Sequence, residues 1–119
     1  MKTLLRLLLL AVLASSALAV DFSYNGVKPD FIIDVRTVGE FQAGHIDGAL
    51  NIPVDQIEQG VAGIKGIKPD SKILLYCRSG RRSSHAAVIL GNRGFKRVVD
   101  GGGMDTLARS LRQCAPGVC

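Results

Sequence analysis

Tryptophan is absent from this 119-residue sequence, and two tyrosines with four phenylalanines bring the aromatic share to only 5%. So few rings leave little material for stacking nucleic-acid bases. Charge of one sign is scarce as well: 15 basic residues stand against 10 acidic ones, and the basic side chains are scattered except at Arg78, Arg81 and Arg82. That distribution is not a nucleic-acid footprint. No internal repeat and no low-complexity linker interrupts the chain, and no second long apolar run follows the first 20 residues. No second membrane span is therefore expected.

What is present begins with a leader. Met1, Lys2 and Arg6 precede an apolar run from Leu7 to Leu13, and small residues lead to Ala17-Leu18-Ala19, the layout of a secretory signal peptide with cleavage expected after Ala19. An uncleaved amino-terminal anchor is the alternative. Both readings put the folded part outside the cytoplasm, as a periplasmic or secreted protein with no stable membrane insertion once the leader is removed. Residues 20–119 are then expected to form one domain around one core. Of the 15 basic residues, Lys2 and Arg6 belong to the leader, which leaves 13 against 10 acidic ones and a mild net charge of +3.

Three cysteines in an exported chain cannot all pair internally. Cys114 and Cys119 flank Ala-Pro-Gly-Val, a turn signal that can bring them together, so these two are the expected disulfide. A loop this short stabilises by about 2 kcal/mol on the chain-entropy view and serves as a local clip. Two cysteines without further ligands make no metal site. Cys77 is left as the odd thiol, either a buried core residue or a reactive group.

Hydrophobic patterning places that thiol. Phe31 to Val35 reads as a buried strand, Val38 to Ala43 as a short helix opened by a Thr37/Glu40 capping box and stopped at Gly44, and Ala49 to Ile52 as a second strand. Asp55 to Ala62 reads as another short helix before a turn-rich connection. Lys72 to Tyr76 is the clearest strand, apolar on both faces, with Cys77 at its carboxyl end. Ser83 to Asn92 has helical spacing, Phe95 to Val99 is a strand, Gly101 to Gly103 a flexible turn, and Met104 to Leu111 a final helix. Strands alternating with helices predict an α/β fold with a mostly parallel sheet of about five strands, covered by helices on both faces. Sites in such sheets form at the carboxyl ends of the strands, where Asp34, Arg36, Cys77 to Arg82 and Asp100 fall.

The segment Cys77-Arg78-Ser79-Gly80-Arg81-Arg82-Ser83 is the one with chemistry in it. A short loop entering a helix presents backbone N–H groups and the positive end of the helix, and both favour an anion. Together with the arginines they favour the thiolate of Cys77, a competent nucleophile that needs no histidine base. Phosphatase-type loops follow Cys-x5-Arg, whereas here that position is Ser83 and the spacing to Arg82 is Cys-x4-Arg. A loop that small suits a single terminal sulfur better than a tetrahedral phosphate. A phosphatase or arsenate reductase remains a less favoured alternative.

Four ordered matches resemble the rhodanese family: Ile33-Asp34-Val35-Arg36; Glu40-Phe41 with Gly44-His45-Ile46-Asp47-Gly48-Ala49-Leu50-Asn51-Ile52-Pro53; the cysteine loop from Cys77 to Ser83; and Gly101-Gly102-Gly103-Met104. The chain looks most like the small exported single-domain thiosulfate sulfurtransferases of that family. Leu107 stands where the family often has tryptophan. The resemblance implies a three-layer rhodanese-like fold and a sulfurtransferase without a cofactor or metal. In it, Cys77 takes the outer sulfur of thiosulfate as a persulfide and passes it to a thiophilic acceptor, cyanide or a thiol. The alternative from another class is a persulfide-carrying binding module. Arg78, Ser79, Gly80, Arg81, Arg82 and Ser83 are then the expected substrate-binding residues, with the arginines attracting the sulfonate end of the donor. Asp34 and Arg36 are expected to brace the loop from beneath. His45 is expected to hold its turn by hydrogen bonds, and His85 to lie at the surface.

Overall fold

The computed structural model describes residues 21–114. The expected leader (1–19) and Cys119, and with it the Cys114–Cys119 pairing, lie outside the described residues. In chain order the elements are β1 (Phe22–Ser23), β2 (Phe31–Asp34), α1 (Val38–Ala43), β3 (Leu50–Asn51), a 3₁₀ turn (Val54–Gln56), α2 (Ile57–Ala62), β4 (Lys72–Cys77), α3 (Arg81–Asn92), β5 (Arg97–Gly103), α4 (Met104–Ser110) and β6 (Arg112–Gln113). Among the described residues, no helix is long and apolar enough to cross a membrane.

Alternation along β4 divides the interior in two. Ile73, Leu75 and Cys77 pack with Ile33, Val35 and Ile52 against Ile57 and Val61 of α2 and Ala86 and Leu90 of α3. Leu74 and Tyr76 point the other way and pack with Ile32, Ile46, Leu107 of α4 and Leu111. Successive strand residues face opposite sides, so a stretch buried on both must be apolar throughout, and β4 is from Ile73 to Cys77. The result is the expected three layers. Each large aliphatic side chain removed from water contributes about 1.5–3 kcal/mol, and Ile33, Ile73 and Leu75 are 0–1% exposed.

The main sheet has four parallel strands in the order β3-β2-β4-β5, one fewer than the sequence suggested. Phe22–Ser23 does not join it. Instead β1 pairs antiparallel with β6 in a separate two-stranded sheet, where Phe22 packs against the Leu74, Tyr76 and Leu107 cluster.

Two boundaries near the cysteine also differ from the sequence reading. Helix α3 starts at Arg81, two residues before Ser83, because Gly80 takes the left-handed conformation (φ +92°) and turns the chain at once into the helix. The three glycines are not a loose turn but the end of β5, with Gly103 paired opposite Cys77 past a register shift between Leu75 and Cys77. Absence of side chains explains this. A Cβ on Gly101 would lie 2.9 Å from the Leu75 carbonyl oxygen and 2.9 Å from a Leu107 methyl, so only glycine lets β5 run this close to β4.

Candidate active site

The end of β4 and the start of α3 set the position of Cys77. Its side chain shares the Ile73 and Leu75 face and is 0% exposed beneath the first turn of α3. The Gly80 N–H donates to Sγ at 2.9 Å, and the Ser83 hydroxyl lies 3.5 Å from Sγ while 3.1 Å from the Gly80 carbonyl oxygen. Burial by itself pushes the thiol up. The Ser83 hydroxyl and the amides of Ser83, Ser79 and Gly80 outweigh it, and hold the Cys77 pKa below its ordinary value. The arrangement can therefore hold a sulfur anion, first on Cys77 itself.

The three arginines of the segment are not used alike. Arg82 turns back to α1 and makes a bidentate pair with Glu40, Nη1 to Oε1 at 2.6 Å and Nη2 to Oε2 at 3.0 Å. Arg78 and Arg81 are exposed and enter none of the ion pairs among the described residues. The Arg82 guanidinium is the main reason the Glu40 carboxyl is held down at about 2, with the Thr37 amide adding to the effect and burial opposing it.

Asp34 and Arg36 form a buried brace, with Arg36 Nη2 at 2.7 Å and Nε at 3.0 Å from the two carboxylate oxygens. The same Nη2 donates to the Gly44 carbonyl at 2.7 Å, and the guanidinium lies over the Tyr76 ring, 5.8 Å from its centroid. Tyr76 completes the group by accepting from the Ile46 N–H at 3.0 Å. Burial, with hydrogen bonding to the Asp34 carboxylate, holds the Tyr76 phenol above the usual range. The brace thus anchors the 44–46 turn and the strand end next to Cys77, and it makes no hydrogen bond to the cysteine loop itself. His45 holds its turn through Nδ1 and the Phe41 carbonyl at 2.9 Å, with its ring stacked on Phe41. His85 is exposed on α3. No cluster of three or more metal-ligating side chains occurs among the described residues.

Sequence reasoning missed the partners that act across the fold. Glu40 is legible as a helix cap, but its pairing with a residue 42 positions away is not. Tyr76 reads only as a strand residue. The role of Gly103, which leaves room for the Arg78 carbonyl, carries no signal beyond the glycine triplet.

A parallel α/β sheet whose central strand ends in a cysteine held under the amides of a strand-to-helix loop defines a class of domains that keep a sulfur anion at the carboxyl end of the sheet. The chain belongs to the Rhodanese-like domain family, which it matches over residues 21–105. It is 35% identical over 92 residues to the thiosulfate sulfurtransferase PspE of Escherichia coli (strain K12), covering 77% of this chain and 88% of the relative. It is also 35% identical over 69 residues to the putative sulfur carrier protein YrkF of Bacillus subtilis (strain 168), but there it covers 58% of this chain and only 36% of the relative. Among solved structures, a rhodanese with anions from E. coli superposes with a TM-score of 0.62 at 30% identity, over 70% of this chain and 96% of that one. The human single-domain sulfurtransferase TSTD1 gives 0.57 at 26% identity, over 66% and 81%.

Proposed function

We propose that this chain is a thiosulfate sulfurtransferase working outside the cytoplasm on small molecules, with Cys77 as the nucleophile. The observation that carries the reading is the Gly80 N–H donating to Sγ at 2.9 Å, flanked by amides that favour sulfur as an anion. In the first step the Cys77 thiolate attacks the outer sulfur of thiosulfate. The S–S bond of the donor breaks, its electron pair leaves with sulfite, and Cys77 carries a persulfide anion. In the second step cyanide or a thiolate attacks the terminal sulfur, and Cys77 departs as the thiolate it began as. Neither step takes up or releases electrons overall, so the transfer as written needs no outside oxidant or reductant. Each amide donor that behaves like an oxyanion-hole group is worth roughly 3 kcal/mol to the developing anion. Arg78 and Arg81, exposed beside the loop, attract the sulfonate end of the donor.

Formation of thiocyanate from thiosulfate and cyanide tests the reading, with the protein compared to Cys77→Ser. Loss of turnover in the variant is expected; equal rates in the two would end the proposal. Complete burial of Sγ favours a second reading, a carrier that shelters its persulfide for a dedicated partner. That reading takes precedence if Cys77 gains the mass of one sulfur from thiosulfate yet small acceptors fail to remove it. A phosphatase or arsenate reductase is disfavoured by the Cys-x4-Arg spacing and by the engagement of Arg82 with Glu40.

A further inference from the structure

We propose that the groove between the 24–27 turn and the amino-terminal halves of β4 and β5 is a second binding site, whose ligand is a free amphipathic carboxylate: an apolar chain that ends in an anion. The site stands apart from sulfur transfer. It lies where β4 begins, at Lys72, and Cys77 ends the same strand.

Alternation along the strands decides which side chains reach this groove. Leu74 packs in the cluster under α4, and Lys72, two residues earlier, shares its face. Val98 packs on the α2 and α3 side, so Arg97 and Val99 take the α4 side. The register sets Lys72 beside Arg97 and Leu74 beside Val99. Helix α4 covers only part of this face, where its Leu107 reaches Gly101 next to Leu74. Toward the amino ends of the strands the lining comes from the 24–29 segment, β4 and β5, with no residue from a helix.

The outer wall is preformed. Tyr24-Asn25-Gly26-Val27 is a hairpin turn closed by two backbone hydrogen bonds, Tyr24 N–H to the Val27 carbonyl at 2.8 Å and Val27 N–H to the Tyr24 carbonyl at 3.0 Å. Its central residues have φ of 51° and 78°, the sign that a two-residue hairpin turn of this kind requires. A wall held in this way loses little freedom when a ligand enters. Tyr24, Val27 and Pro29 face Leu74 and Val99 across a groove of about 280 Å³. Ligand pockets begin near that size, at about 300 Å³. Val27 and Val99 are 48% and 46% exposed, so two large apolar side chains meet water at one place.

Charge supplies the other half of the ligand. Lys72 and Arg97 stand together at the amino end of the groove, and neither side chain enters a hydrogen bond or ion pair among the described residues. Lys28, by contrast, is tied to Asp21 at 3.1 Å. Asp30 and Asp70 line the adjoining cleft, where the Asp30 carboxylate accepts from the Lys72 backbone N–H at 2.8 Å. Apolar walls closed at one end by two unpaired cations complement an apolar body with an anionic head. Size favours a small molecule over a protein: a stable protein interface engages about 20–30 residues a side, whereas nine residues bound this groove.

The test is an NMR titration of the full chain, read from backbone amide signals, with hexanoate, octanoate and 1-hexanol. Octanoate should move the signals of Tyr24, Val27 and Val99, and should bind about tenfold tighter than hexanoate through two more buried methylene groups. 1-Hexanol, equal in length but uncharged, should bind about fivefold more weakly than hexanoate. Arg97→Gln and Lys72→Gln should each weaken octanoate about threefold. Val99→Asp, which sets a carboxylate in the apolar wall, should weaken it by about tenfold or more. Where V99D fails to fold, the two glutamine variants decide, since the side chains they replace have no partner to lose. Equal binding of hexanol and hexanoate overturns the proposal, because the groove would then be an apolar patch without an anion site. Octanoate binding that survives all three variants overturns it too, as association at titration concentration only. So does a chain that ignores octanoate, whether it binds nothing, attaches to phosphatidylglycerol vesicles or forms a dimer that V99D dissolves. Absence of thiocyanate formation by the unmodified protein counts against the sulfurtransferase reading alone.

Discussion

The carbonyl oxygen of Arg78 occupies the space a side chain on Gly103 would need: a Cβ built on Gly103 falls 2.7 Å from it. The last residue of β5 is thus the floor on which the cysteine loop rests. Gly103 has φ −78° and ψ 145°, a conformation open to any residue, so the requirement for glycine here is one of space and not of backbone freedom.

Gly103→Ala should therefore act on the loop. Overpacking of this kind costs about 1–3 kcal/mol, and the Arg78 carbonyl must shift to relieve it, which moves the amides that follow. Chemical denaturation should report the stability loss. Thiocyanate formation should fall by more than the loss of folded protein explains; normal activity per folded molecule would show that the loop does not depend on this contact.

Ser83→Ala removes the hydroxyl 3.5 Å from Sγ and leaves the backbone donors in place. Losing a hydrogen bond to the charged form raises the Cys77 pKa, so the pH profile of Cys77 alkylation should move to higher pH. At neutral pH the rate of persulfide formation should drop about fivefold, the equivalent of one ordinary hydrogen bond of ~1 kcal/mol. An unshifted alkylation profile would remove Ser83 from the set of groups that tune the thiol.

Glu40 predicts an acid signature. Its carboxyl is held at about 2 against an ordinary value of 4.5, chiefly by Arg82, so the folded protein binds its proton less readily than the unfolded chain does. Stability from this group is fully present above pH 4.5 and is lost as pH falls from there toward 2. Melting temperatures measured across that window should fall more steeply for the unmodified protein than for E40Q, and parallel curves would contradict the assignment.

Asp34→Asn leaves the Arg36 guanidinium buried without its counter-charge. Breaking a buried pair from one side costs about 3–5 kcal/mol, a large part of the stability of a domain this size. Tyr76→Phe is the milder companion, orphaning the Ile46 N–H for about 1–3 kcal/mol. Denaturant midpoints should rank the unmodified protein first, Y76F second and D34N last.

Much of this was legible before any coordinates. The Thr37/Glu40 capping box is local, made between residues three apart, and it forms as read. Lys72 to Tyr76 reads as a central strand because Ile73 to Tyr76 are apolar on both faces, as burial on both sides requires, and β4 is central. The start of α3 was misplaced for a local reason: Arg81 and Arg82 look like loop residues until Gly80 is seen to adopt φ +92°. The glycine triplet reads as a turn because glycine has no side chain to pack, and that same lack is what lets β5 continue alongside β4.

The sequence alone determined the order of the helices and of the main-sheet strands, the layering that follows from their apolar periodicity, and the placement of a thiol where a strand hands over to a helix, because each is written in residues within a turn or two of one another. Only the tertiary structure decided that Arg82 belongs to Glu40, that Tyr76 joins the Asp34 and Arg36 brace, and that Gly103 lies under Arg78. Those contacts join residues separated by 25 to 42 positions, and whether two such groups meet depends on how strands register and helices pack, a property of the whole fold that no local pattern encodes.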